Sequence, residues 1–288
     1  MKAAAANEDG KPGCLYLVAT PIGNLEDITV RALRLLGEVD LIACEDTRQT
    51  VKLLQHYNIH KPMVSYHEHN EITRSAELVV KIEEGSQVAL VSDAGTPILS
   101  DPGYRLVCLC LRHHIPVIPI PGASALLAAI TASGLPVDGF LFLGFLPSRE
   151  GQRRKLLAQL AGETRTLVIY EAPHRLADTL GDALQLLGRR AAVIAREVTK
   201  LHEEFLRGDL AELLVRVQRH PPRGEMTLVI AGAEPGGAKV ALPSEPLHQR
   251  VEQIMREQRI DRKAALKAAA RERGITKREA YKQLLSDR

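Results

Sequence analysis

The chain has 288 residues and 31.6 kDa, of which 45% are hydrophobic and 25% charged. These values are ordinary for a globular protein and exclude a disordered or fibrous chain. Aromatic residues make up 3% with no Trp, so the core must be aliphatic, and a platform of stacked aromatics for single-stranded nucleic acid is not expected. The net charge of +3 is unevenly spread: from Ser244 onward twelve Lys/Arg face seven Asp/Glu, while the rest of the chain carries −2.

Residues 1–12 carry no apolar run and read as a disordered tail rather than a secretory leader. No stretch approaches the roughly 20 apolar residues of a membrane span. Cys14, Cys44, Cys108 and Cys110 form no C-x-x-C pair and no zinc-type spacing. Reduced thiols in a cytoplasmic protein are the expectation.

From residue 13, short aliphatic runs alternate with amphipathic stretches. LYLVA (15–19) predicts a buried strand, followed by a helix capped by Asp27, with Ile28, Leu33, Leu35 and Leu36 inward and Gly37 as its stop. VDLIAC, MVSY, QVALVS and IPVIPI repeat the pattern, each with a helical stretch behind it. Continuous apolar strands separated by helices predict a parallel sheet covered on both faces, over residues 13–133. GLPVDG (134–139) reads as a linker. FLFLGF, RTLVIY, AAVIARE, EEFLRG and EMTLVIAG predict a second sheet over residues 134–233. Too little chain separates the third and fourth of these for a helix, so a hairpin is expected and the sheet should be mixed. After a Gly/Pro-rich tether (234–246), residues 244–288 predict two or three short helices with a basic face, broken at Gly274-Ile275-Thr276. The fold class is α/β: two α/β domains plus a small helical C-terminal extension.

In an open parallel sheet, ligands bind beyond the carboxyl ends of the strands. Five polar loops occupy those positions: TPIGN (20–24), EDTR (45–48), HEHN (67–70), SDAGTPILSDPG (92–103) and PGAS (121–124). Neither G-x-G-x-x-G nor G-x-x-x-x-G-K-[ST] occurs, which argues against a nucleotide-phosphate loop. Gly and Pro instead hold backbone N–H and C=O groups in fixed positions, suited to an uncharged purine, a ribose or a cationic centre. Asp93 could accept from a ribose or lie near a sulfonium, and Asp93 and Asp101 could equally cap turns. Asp46 reads as an N-cap, while Glu45 and Arg48 could pair with each other. His67 and His69 lack a third ligand at suitable spacing, so no metal is expected. YEAPHR (170–175) and REVTK (196–200) leave strands of the second half with further charged groups, and G-x-S-x-G is absent.

Taken in order, TPIGNLEDIT, EDTR, HEHN, SDAGTPxxxDPG, PGAS, GFLP, YEAPHR and REVTK resemble the tetrapyrrole-methylase-like (class III) S-adenosylmethionine methyltransferases. The resemblance runs over nearly the whole chain from Gly13. TPIGN departs from the more Gly-rich first loop usual in corrinoid methylases and points to the branch that methylates a cytidine 2′-hydroxyl in small-subunit ribosomal RNA.

The resemblance implies a cofactor cleft between the two domains and a homodimer. It implies S-adenosylmethionine contacts at Pro21, Gly23, Asp93, Ala94, Gly95, Thr96 and Ser124, and at Leu143, Gly144, Tyr170, Glu171, Met226 and Thr227. Glu45, His67 and Lys200 are then candidate bases, with Arg48 and Asn70 orienting ribose and phosphate. The implied partner is the small ribosomal subunit or its RNA, with the basic tail contacting phosphates. Two alternatives stay open: a tetrapyrrole-type small-molecule methyltransferase of the same fold, and a ribosome-binding protein without turnover.

Overall fold

The structure is a computed structural model that describes residues 13–234, 247–258, 260–272, 279 and 280. The N-terminal tail, most of the Gly/Pro-rich tether and the break at Gly274 lie outside the described residues. Two compact units are present. Of the described residues, those up to Ala129 together with Glu197–Glu203 form one; Ile130–Arg196 and those from Glu204 on form the other.

The first unit is built on five strands: β1 (Cys14–Val18), β2 (Leu41–Cys44), β3 (Met63–Ser65), β4 (Gln87–Val91) and β5 (Val117–Ile120). They lie in the order β3-β2-β4-β1-β5, and every neighbouring pair is parallel. The helices α1 (Val30–Glu38), α2 (Thr47–His56), α3 (Glu71–Glu83), α4 (Tyr104–Arg112) and α5 (Ala125–Ser133) follow them in turn.

Alternation of side chains along the strands separates two apolar layers. Leu15, Ala43, Val88 and Leu90 pack with Leu78 and Ile82 of α3 and Leu106 and Cys110 of α4. Val18, Ile42, Cys44, Ala89 and Val91 pack with Leu35 and Leu36 of α1 and Leu54 of α2. Both faces are therefore covered, as the continuous apolar runs predict. The four cysteines are free, three of them buried.

Asp27 does not cap α1. It closes a short 3₁₀ turn, Leu25–Asp27, and Thr29 is the cap, its hydroxyl accepting from Ala32 N at 3.1 Å. Gly37 does not stop the helix either; the helix runs through it to Glu38, and Gly37 is not among the glycines of positive φ that a helix stop would use.

The second unit contains β6 (Phe140–Phe145), β7 (Thr166–Glu171), β8 (Ala191–Arg196), β9 (Glu204–Asp209) and β10 (Met226–Ile230), ordered β6-β7-β10-β8-β9. Only β6 and β7 run parallel; the other neighbours are antiparallel, and β8 and β9 form the expected hairpin. The helices α6 (Glu150–Gln159), α7 (Pro173–Leu187) and α8 (Leu210–Arg219) share one core with this sheet. Asp209 begins α8 with a capping box whose other half is Glu212.

A buried charge cluster joins α6 to α7. Asp182 takes Arg153 at 2.8 Å and Arg154 at 2.5 Å, all three side chains being less than a tenth exposed. In the extension, α9 (Leu247–Gln258) and α10 (Arg262–Glu272) make their own apolar core from Leu247, Val251, Ile254, Ala265, Leu266 and Ala269.

Candidate active site

Because the five strands of the first unit are parallel, their carboxyl ends lie along one edge of the sheet. The loops TPIGN, EDTR, HEHN, SDAGTP and PGAS all leave from that edge.

The SDAGTP loop ties three of the others together. Thr20 and Gly95 exchange two backbone hydrogen bonds, of 2.9 and 3.0 Å, and the Thr20 hydroxyl donates to Ser92 O at 3.2 Å. The backbone N–H of Asp46 donates to Asp93 Oδ1 at 3.0 Å, fixing the start of α2. Thr96 Oγ1 donates to Ala123 O at 3.2 Å, fixing the loop before α5. Gly95 has φ +80, and a Cβ there would press on Ile22 at 3.2 Å, so a side chain is disfavoured on both counts. The side chains of Asp93 and Ala94 remain exposed above this frame.

Backbone strain concentrates here too. Among the described residues, six non-glycine positions have positive φ. Asn58 and His114 terminate α2 and α4, an ordinary use of the left-handed region. The other four are Ile98 (φ 76) and Ser100 (φ 70), after SDAGTP, and Glu197 (φ 50) and Thr199 (φ 71), in REVTK. For β-branched Ile98 and Thr199 this conformation is costly, and such strain clusters where function constrains the backbone. No residue pattern announces it, so neither position was identifiable from the sequence.

The five proposed catalytic side chains differ in what holds them. Lys200 packs its aliphatic stem over Gly23 and donates from Nζ to Glu197 Oε1 at 3.0 Å. Arg48 does not pair with Glu45. Its guanidinium folds back on Asp46, Nη2 to Oδ2 2.7 Å, since Asp46 as N-cap already accepts from Arg48 N. These bonds pull the Asp46 carboxyl down to about 2.

Glu45 is pushed the other way. Partial burial raises its pKa, and the negative charges of Asp101, Asp93, Glu68 and Asp46 raise it further. Asn70 is spent on the HEHN turn, with Oδ1 accepting from His67 N at 2.9 Å and Nδ2 donating to Ser65 O at 3.1 Å. Its Nδ2 also faces His67 Nε2 at 3.3 Å, so in the neutral ring Nε2 accepts and the proton sits on Nδ1. That Nδ1 is buried without a partner. Among the described residues, no group of His, Cys, Asp and Glu is arranged to hold a metal ion.

In the second unit, the remaining residues named from the sequence meet on three adjacent strands. Tyr170 pairs with Phe145 across a register shift that contains Leu143 and Gly144, the latter at φ +60. Met226 stands opposite Glu171 and Thr227 opposite Tyr170. The Tyr170 ring contacts Phe142 and Phe145 with centroids 4.9 and 5.7 Å apart. The Glu171 carboxylate is buried and engaged by Thr179 Oγ1 at 2.6 Å, Ala172 N at 2.9 Å and Arg175 at 3.4 Å. These contacts tie the end of β7 to the start of α7.

Comparison with known proteins agrees with this architecture. Residues 14–214 match the family described as tetrapyrrole (corrin/porphyrin) methylases. The ribosomal RNA small subunit methyltransferase I of Halalkalibacterium halodurans is 48% identical over 277 residues, covering 93% of each chain. The protein of that name from Thermotoga maritima is 51% identical over 222 residues, covering 77% of this chain and all of its own. A uroporphyrin-III C-methyltransferase from Thermus thermophilus, solved with S-adenosyl homocysteine, shares the fold at a TM-score of 0.54 and 24% identity, covering 75% of this chain and 97% of its own. The two α/β sheets, the polar loops at one sheet edge and these similarities place the chain in the tetrapyrrole methylase family, in its ribosomal RNA small subunit methyltransferase I group.

Proposed function

We propose that this chain transfers a methyl group from S-adenosylmethionine to the ribose 2′-hydroxyl of a cytidine in small-subunit ribosomal RNA. The observation that carries the reading is the hydrogen-bonded frame of SDAGTP, TPIGN, EDTR and PGAS at the carboxyl edge of a parallel sheet. Relatives at 48% and 51% identity named for ribosomal RNA methylation support the substrate class.

The residues of the frame fit the cofactor. Asp93 offers an exposed carboxylate for ribose hydroxyls, with the small, exposed Ala94 beside it, and Gly95 keeps the turn that presents both. Pro21, Gly23, Thr96 and Ser124 complete the contacts in the first unit, and Leu143, Gly144, Tyr170, Met226 and Thr227 are its further contacts. The engaged Glu171 acts through their placement.

When bound, the cofactor supplies a methyl group already activated on a sulfonium. What the protein must add is position, which in favourable cases supplies roughly 7–11 kcal/mol. Among the candidate bases, Glu45 is the one whose surroundings prepare it to take a proton, since burial and four neighbouring carboxylates raise its affinity for one. Lys200, positioned by its 3.0 Å contact with Glu197, supplies positive charge. Asn70 sets the orientation of the His67 ring, and Arg48 offers an exposed cation for a phosphate. Residues 244–288 add phosphate contacts, and the working protein is a homodimer in the cytoplasm. No helix among the described residues is long and apolar enough to cross a membrane.

The test is methyl transfer in vitro to small ribosomal subunits by the wild type and by single Ala variants of Glu45, Arg48, His67, Asn70 and Lys200. Loss of turnover in the Glu45 and Lys200 variants is expected. Unchanged turnover in all five would remove the catalytic assignment.

A further inference from the structure

A groove of about 690 Å³ runs between the edge strand β9 and the C-terminal end of α8. Arg196, Arg216, Arg219, His220 and Arg223 line it, together with Glu204. Glu204 stands opposite Arg196 in the β8–β9 ladder and binds it at 2.7 Å, and it also reaches Arg216 at 3.2 Å. One carboxylate thus serves two guanidinium groups. The other acidic residue of the groove, Glu212, is occupied by the capping box of α8.

Arg219 and Arg223 have no anionic partner among the described residues, and both are exposed. Cations in the last turn of a helix complement its dipole, which accounts for Arg216 and Arg219. It does not account for Arg223, which lies beyond Pro221-Pro222, or for Arg196 on β8. Arginine stays protonated at any accessible pH, so this charge is permanent. Planar guanidinium groups on the walls of an open groove suit the oxygens of a phosphodiester chain.

We propose that this groove binds the ribose-phosphate backbone of the ribosomal RNA substrate, as a sequence-independent anchor separate from the methyl-transfer residues. The inference deepens the proposed function and rests on it. Arg196 immediately precedes the Glu197–Glu203 segment that carries Lys200, so one continuous piece of chain links the anchor to the candidate catalytic lysine. Phosphate contacts of this kind fix register without reading sequence.

The test compares the wild type with Arg219→Ala/Arg223→Ala and Arg219→Lys/Arg223→Lys variants of the full chain. Binding to naked small-subunit RNA is measured across a salt series, alongside cofactor affinity, Tm and the kinetics of methyl transfer. The Ala pair should bind RNA more weakly at low salt, with the slope of log K against log salt shallower by about 1.4, or about 0.7 for each lost phosphate contact to a single strand. Its KM for subunits should rise with kcat, cofactor affinity and Tm unchanged, and the Lys pair should keep the wild-type slope. An unchanged slope on naked RNA overturns the anchor, including the case in which only binding to assembled subunits weakens, which would mark a protein-facing surface. A wild type that labels no RNA overturns the proposed function and the anchor together; a wild type that labels RNA beside variants of unchanged slope overturns the anchor alone.

Discussion

The side chain of Lys200 lies so close over Gly23 that a Cβ at position 23 would stand 2.3 Å from its Cγ and 2.8 Å from its Cε. The stem, not just the tip, is in contact. A methyl group at position 23 must therefore displace Lys200 and disturb its 3.0 Å bond to Glu197. Gly23→Ala should lower kcat by about 10²-fold, the cost of misplacing a reacting or orienting group by about 1 Å. Single-turnover kinetics beside a melting curve checks this. A large fall in Tm with unchanged kcat in the surviving folded enzyme would show that the contact serves folding alone.

Glu45 gives a pH signature whose sign is fixed. Its proton is held more tightly in the folded chain than in the unfolded one, because of burial and the carboxylates of Asp101, Asp93, Glu68 and Asp46. Its contribution to stability is therefore full below the unfolded value of about 4.3, and is lost as pH rises through the raised folded value. Glu45→Gln should be more stable than the wild type at neutral pH, with the difference vanishing in acid. Its turnover should fall by about 10²–10⁴-fold if the carboxylate is the base. Urea melts at several pH values together with a pH–rate profile test both halves.

Much of the fold was legible because strands and helices of this chain differ in period. VALV and LIAC are apolar throughout, as strands buried on both faces must be, and they became the body of β4 and β2. The short link between AAVIARE and EEFLRG left no alternative to a hairpin. Local capping was less legible. Asp27 and Thr29 are both good N-caps, and only the preceding 3₁₀ turn decides for Thr29. Loop positions could be read, but not their wiring. Nothing in the residue order tells that Asp46 rather than Glu45 holds Arg48, that Thr20 bridges to Gly95, or that Ile98 and Thr199 adopt positive φ. The groove at Arg219 and Arg223 was hidden for a similar reason, since its walls come from three separated segments.

Asp182 is the buried anion that allows α6 to bring two arginines into the second unit. Asp182→Ala leaves Arg153 and Arg154 buried without it, and removing one partner of a buried pair typically costs about 3–5 kcal/mol. Denaturant unfolding should show a loss of this size. A change below about 1 kcal/mol, the range of an exposed pair, would mean that water reaches these groups.

The extension carries a core of its own, formed between α9 and α10. Deleting residues 244–288 should accordingly weaken RNA binding and leave cofactor affinity unchanged. Equilibrium binding of both ligands to the shortened chain distinguishes this from a packing role, in which both affinities would fall together.

The central claim is tested most directly by transfer of a labelled methyl group from S-adenosylmethionine, offered side by side to small ribosomal subunits, naked small-subunit RNA and a tetrapyrrole precursor. The account predicts label in RNA, at a single linkage that has become resistant to alkaline hydrolysis because its 2′-hydroxyl is methylated. Label in the tetrapyrrole, or in RNA whose linkages all remain alkali-labile, would contradict it.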